Sequence, residues 1–238
     1  MNKKQWFCMG ALTLAIVVLI CFIFQKSEDV IVNSKVKDNT NTLPTIIIDP
    51  GHGGVDGGAI GCDGTVEKDI NLSISLKLAD FLRFTGFQVI MTRSEDISIH
   101  DSGATKIKDI KTSDLHNRMK IMQETPNNLF ISVHQNKYSE EKYHGAQVFY
   151  SPNDEQSPLL AEEIQNSIIS NIQTDNKREI KPSTKSIYLL YKAQSTAVMV
   201  ECGFLSNQQE VKKLKDTSYQ NQLAFTIMCG LVNYLQIN

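Results

Sequence analysis

The sequence predicts an α/β fold: a single three-layer domain with a largely parallel sheet flanked by helices, after an N-terminal membrane helix. Three observations predict it. Five short runs rich in β-branched and other apolar residues, Thr45–Asp49, Phe87–Thr92, Leu129–Val133, Ala146–Tyr150 and Ala197–Glu201, have the length and composition of strands. Among them lie longer stretches whose apolar residues recur at three and four, the period of a helix with one buried face. Alternation of the two kinds stacks helices on the faces of a sheet. The third observation is the run Trp6–Phe24, in which 17 of 19 residues are hydrophobic and none is charged.

That run comes first along the chain. As a helix it reaches roughly 28 Å at about 1.5 Å per residue, close to the hydrocarbon thickness of a bilayer. A cleavable signal needs a shorter apolar core and a small-x-small site, but this run ends in Ile20-Cys21-Phe22-Ile23-Phe24, so an uncleaved signal anchor is the expectation and secretion after cleavage the alternative. Ile20 is too bulky for Cys21 to be a lipoprotein cysteine. Lys3 and Lys4 keep the amino terminus in the cytoplasm, so the rest is exported and tethered on the outer face of the cytoplasmic membrane. Residues 27–44, polar and without periodicity, read as a flexible linker, and residues 45–238 as one folded domain. Residues 1–26 hold Lys3, Lys4 and Lys26 and no acid, which leaves 21 basic against 26 acidic groups in the exported part. Such a balance excludes a general attraction to nucleic acid, and an anionic substrate must be held by local groups. Cys62, Cys202 and Cys229 are an odd number, so no disulfide network is expected.

Within the domain, the first strand ends at Asp49-Pro50-Gly51-His52-Gly53-Gly54, placing a histidine where a strand gives way to a glycine-rich turn. Glu67 opens the next segment, where it suits the amino end of a helix dipole. There Ile70, Leu72, Ile74, Leu76 and Leu78 alternate strictly with polar residues, the strand period; the continuation to Phe84 and the stop at Gly86 favour a helix. Helices are also expected over Ser113–Glu124, Pro158–Ile172 and Ser218–Leu235, the last with a stripe of Ala224, Ile227, Met228, Leu231 and Leu235.

Strand Leu129–Val133 runs into His134-Gln135-Asn136, repeating the histidine at a strand end, and Ala197–Glu201 closes an apolar run with a carboxylate. Sites in open α/β sheets form at the carboxyl ends of strands. A carboxylate in such a strand needs a partner, a metal or a wet cleft. Two imidazoles and one carboxylate are a hydrolytic zinc set that leaves a fourth position for water, and a further carboxylate can take that water's proton. The spacing does not say which glutamate binds metal. His100, His116 and His144 lack the strand-end context and read as ordinary histidines, and Cys202, next to Glu201 in a strand, should face the opposite way into the core.

These strings, Ile47–Gly54, Glu67, Ile131–Asn136 and Val200–Asn207, resemble the zinc-dependent N-acetylmuramoyl-L-alanine amidases of the amidase-3 family, in the same order over about residues 45–236. The resemblance implies Zn²⁺ held by His52, Glu67 and His134, Glu201 as catalytic acid/base, and peptidoglycan bearing a peptide stem as substrate. Glu201 would take a proton from water and return it to the departing L-alanine nitrogen, because an amine leaves poorly unprotonated. Arg118 matches an arginine usual in the family, where a structural ion pair is expected rather than catalysis. A short, anchored, single catalytic domain further resembles the germination-specific spore-cortex type, which allows muramic-δ-lactam to form and would work between forespore and mother cell. The alternatives are a vegetative wall amidase, a zinc carboxypeptidase-like peptidase, or a non-catalytic wall-binding module. An activating protein partner is left open.

Overall fold

The computed structural model describes residues 43–237. In chain order the elements are β1 (Thr45–Pro50), α1 (Glu67–Phe84), β2 (Val89–Met91), α2 (Ile107–Glu124), β3 (Asn128–Asn136), β4 (Gln147–Tyr150), α3 (Ser157–Asn171), β5 (Lys181–Pro182), α4 (Tyr188–Lys192), β6 (Thr196–Phe204), α5 (Gln208–Lys215) and α6 (Thr217–Ile237). The expected anchor Trp6–Phe24 and the linker up to Thr42 lie outside the described residues. No helix among the described residues is long and apolar enough to cross a membrane.

The six strands form one sheet in the order β2-β1-β3-β6-β4-β5. The pairs β1–β2, β1–β3 and β3–β6 are parallel. β4 runs antiparallel to β6, and β5 follows β4 in parallel. The chain leaves β1 to one side for β2 and returns to the other side for β3, so crossovers of one hand place their helices on opposite faces. Residue alternation in the strands then sorts the core. Ile46, Ile48, Ile131, Val198 and Val200 pack beneath α1, α3 and α6 in the larger cluster, while Ile47, Phe130, Ala197 and Met199 meet Met119 and Met122 of α2 and Leu189 and Leu190 of α4. The result is a helix–sheet–helix sandwich with one heavily covered face and one lightly covered face. The site lies on the lighter side.

Helix α1 settles the ambiguous alternating segment. Its buried residues are Glu67, Ile70, Asn71, Ile74, Ser75, Leu78, Ala79 and Leu82, a helical stripe that includes polar groups. Leu76, part of the apparent strand pattern, is exposed. Elsewhere the sequence boundaries shift. The run Phe87–Thr92 contributes only Val89–Met91, and the helix expected from Ser113 begins at Ile107. β3 continues to Asn136 because its pairing with β6 persists through His134 opposite Glu201, so His134 lies in a strand rather than just beyond one. Helices α4 and α5 and the two-residue β5 were not expected. α5 carries little apolar surface, and only its cap is a clear local signal: Asn207 Oδ1 accepts from Gln209 N at 2.9 Å and Glu210 N at 3.1 Å.

Candidate active site

Past β1 the backbone enters the left-handed region, with φ of 63° at His52 and 134° at Gly53. Glycine adopts such angles freely, but histidine does so at a cost that the surroundings must offset. Two buried arginines do this. Arg118 Nη1 donates to Asp49 Oδ1 at 2.6 Å and to the Pro50 carbonyl at 2.8 Å, and its Nη2 donates to the His52 carbonyl at 2.7 Å. Its Nε donates to Asp114 Oδ2 at 2.7 Å. Arg93 donates from Nε to the Pro50 carbonyl and from Nη2 to the carbonyls of Gly51 and Lys68, each within 3.0 Å. Burial would raise the pKa of Asp49. The charge of Arg118, with hydrogen bonds from Ser132, Thr92 and Arg118, overrides it and holds the carboxyl below its ordinary value.

Gly51 supplies close approach, since a Cβ there would fall within the His134 ring. The rings of His52 and His134 meet edge to face with centroids 4.9 Å apart. Between them stands Glu67, the first residue of α1. His134 Nδ1 lies 2.9 Å from Glu67 Oε1, and His52 Nε2 lies 3.3 Å from Glu67 Oε2. The Ala59 N–H donates to the same carboxylate at 2.7 Å, the Gln135 N–H at 3.2 Å and Asn71 Nδ2 at 3.2 Å. Burial opposes ionisation of Glu67, yet hydrogen bonds from His134 and His52 hold its pKa far below the ordinary value. For His52, burial works downward, while Asp56 and Glu67 push the ring up to about 9. The Asp56 carboxylate, which also pairs with Lys111 at 2.7 Å, lies 2.8 Å from His52 Nδ1 and so directs Nε2 toward Glu67. One donor atom from each of His52, Glu67 and His134 lies within 4.8 Å of the others. Two imidazole nitrogens and a buried carboxylate are the donor chemistry of a zinc site, and the residues fit that ion.

Glu201 sits directly across the β3–β6 ladder from His134 and so shares its face. The residue is partly exposed, but its Oε2 is sealed from solvent with no hydrogen-bond partner among the described residues. Burial pushes its pKa up to about 7, Glu67 adding to the rise and His134 and His52 opposing it. A carboxyl poised there exchanges protons readily near neutrality. A cleft of about 150 Å³ opens beside His52 and His134, bounded by Lys111, Leu115 and Leu189.

The structure therefore brings His52, Glu67 and His134 together and places Glu201 beside them. Arg118 has the structural ion pairs expected of it. Cys202 faces the larger core, and Cys62, Cys202 and Cys229 are free thiols. His100 bonds Ser98 and His116 packs near Tyr188, both apart from this cluster. Sequence reasoning missed Asp56, Asn71, Lys111 and Arg93. Asp56 was within reach, being four residues after His52. Nothing local marked Arg93.

Two imidazoles and two carboxylates gathered at the strand ends of a mostly parallel sheet are a donor set suited to metal-assisted hydrolysis. The chain belongs to the N-acetylmuramoyl-L-alanine amidase family (amidase-3), whose model matches residues 46–233, and it is an enzyme of that activity, acting on peptidoglycan. It is 33% identical over 189 residues to the germination-specific N-acetylmuramoyl-L-alanine amidase of Bacillus subtilis, covering 79% of this chain and 78% of that protein. The amidase LytC of the same organism is 30% identical, but only 35% of its length is covered. Among solved structures, the CwlD amidase of Clostridioides difficile, in complex with the GerS lipoprotein, superposes with a TM-score of 0.79 at 40% identity, covering 82% of this chain and all of that one.

Proposed function

We propose that the chain is a zinc amidase of the spore cortex, removing stem peptides by hydrolysis of the amide between the N-acetylmuramic lactyl group and L-alanine so that muramic-δ-lactam can form. The His52–Glu67–His134 cluster, with Glu201 opposite His134, carries the chemical part of this reading. These three residues would hold Zn²⁺, which when bound acidifies water and polarises an amide carbonyl. Asp56 fixes the ring of His52, Arg118 its backbone and Arg93 the backbone of Pro50 and Gly51 before it, so the site is assembled before substrate arrives. Glu201, its Oε2 without another partner among the described residues, accepts the proton of the attacking water and delivers it to the L-alanine nitrogen as the C–N bond breaks. The products are a muramoyl carboxylate and a free peptide amine.

The spore role is supported by likeness to the germination-specific amidase of B. subtilis and to CwlD. By the same likeness the chain would take a lipoprotein partner, as CwlD does in its complex with GerS. The run Trp6–Phe24 would anchor it outside the cytoplasmic membrane, with a linker whose coil span is roughly 25 Å, keeping it at membrane-proximal glycan. The test is zinc content and product analysis of the wild type and Glu201→Gln with isolated muropeptides. The wild type should carry one zinc and release stem peptides, and Glu201→Gln should keep zinc while losing about 10²- to 10⁴-fold in turnover. Zinc-loaded protein that leaves stems intact, partner supplied, would end the reading. Cortex of a strain lacking the protein should contain no muramic-δ-lactam, and normal lactam would refute the spore assignment alone.

A further inference from the structure

Across the sheet the site has a direction. His52 follows β1, His134 is in β3, Glu201 in β6, and the next strand, β4, places Gln147 directly opposite Glu201. Registered neighbours share a face, so Gln147 continues the line away from the histidines. Its Oε1 accepts from Arg178 Nη1 at 2.9 Å, and Arg178 Nε donates to the His144 carbonyl at 3.1 Å. The Arg178 guanidinium also lies 4.6 Å from the ring centroid of Phe204, three residues beyond Glu201.

The other arginines of the domain are committed. Arg83 pairs with Asp80, Arg118 with Asp49 and Asp114, and Arg93 gives its donors to backbone carbonyls. Arg178 differs: it is half-buried, forms no ion pair among the described residues, and its Nη2 donates no hydrogen bond there. Glu210, an acid whose charge acts on it, already accepts the N–H groups of Gly145 and Phe204. A guanidinium held over an aromatic ring with one nitrogen free to donate is a shaped receptor for a carboxylate. In a domain with more acidic than basic groups, an anionic substrate needs such a local cation.

We infer that Arg178, positioned by Gln147 and Phe204, binds a carboxylate of the stem peptide on the leaving-group side of the scissile amide. The inference rests on the amidase assignment of Glu201 under the proposed function. Glu201 serves the departing nitrogen, so the peptide extends from it past Gln147, and Arg178 selects stems with a free acid near L-alanine over stems in which that acid is a carboxamide.

The test compares full-length, zinc-loaded protein on glycan-strand fragments whose second stem residue carries either its α-carboxylate or the corresponding carboxamide. The wild type should favour the acid by roughly 10- to 100-fold in kcat/KM, mainly through KM, the range for a hydrogen-bonded charge. In Arg178→Gln this ratio should fall to about one, and Arg178→Lys, which keeps the charge without the fork, should give an intermediate ratio. A purely structural role for Arg178 would slow both substrates together and leave the ratio standing, which would overturn the inference. So would a wild type that does not distinguish the two substrates. Cleavage of neither fragment by zinc-loaded wild type defeats the amidase mechanism itself, and the inference with it.

Discussion

Replacing Arg118 by Met tests the idea that a buried ion pair holds the His52 turn. Arg118 and Asp49 are 2% and 1% exposed, so the variant leaves the Asp49 carboxylate without its ion-pair partner, hydrogen-bonded by the hydroxyls of Thr92 and Ser132 and offset only by the more distant charge of Arg93. Asp114 is better protected, since Ser98 Oγ and the Ile99 N–H still donate to it. Breaking a buried pair by removing one partner typically costs about 3–5 kcal/mol. For a domain of this size that lowers Tm by about 6–20 °C, at about 2–4 °C per kcal/mol. The pH dependence is more diagnostic. In the wild type the Asp49 pKa is held below its usual 3.8, so its contribution is present above that value and is lost as pH falls through the lower folded one. Without Arg118, burial dominates and raises the folded pKa above the unfolded one. The penalty then grows as pH rises through that window and is relieved by acid. Urea unfolding of metal-stripped protein at neutral pH and at mildly acidic pH should therefore show the gap between variant and wild type narrowing on acidification. Adding Asp49→Asn to Arg118→Met should recover part of the loss at neutral pH. A gap below about 1 kcal/mol, or one that does not change with pH, would refute the reasoning.

His134→Ala should abolish stoichiometric zinc binding and activity while the far-ultraviolet circular dichroism is retained, and full zinc by elemental analysis would remove His134 from the site. Asp56→Asn keeps the hydrogen bond to His52 but not its charge, so zinc affinity in competition with a chelator should fall, by about 10- to 100-fold if Asp56 acts as such supporting groups usually do. Glu201 must be ionised to act as base. Burial, together with the charges of His134, Glu67 and His52, sets it near 7 and a bound dication would lower it, so turnover should fall on acidification with a midpoint at or below about 7, and an acid limb well above that value would contradict the assignment. Gly51→Ala should cripple zinc binding by displacing the His134 ring, and unchanged metal affinity would show that the close approach is dispensable.

The sequence alone determined the alternation of strands and helices, because β-branched runs such as Ile46-Ile47-Ile48 and the stripe from Ala224 to Leu235 are local patterns of burial. It also marked His52, His134 and Glu201, whose polar side chains stand where apolar strands end, while their roles came from the order of motifs around them. Glu67 was legible from the residue pattern only as an acid at a helix start, and its role as a ligand came from the resemblance alone. Only the fold lifts it from the start of a helix into contact with two histidines, one of them 67 residues away in sequence. The same holds for the buried supports. Arg93 looks like an ordinary charge in sequence and Arg118 was set apart only by the resemblance; both hold the turn because β1, β2 and α2 converge and leave carbonyls and Asp49 with no water to bond. The reversal of β4, which sets Gln147 opposite Glu201, was likewise invisible, since a five-residue apolar run has the same composition whichever way it pairs. Local patterning records which residues avoid water, and tertiary contact decides which buried polar groups find one another.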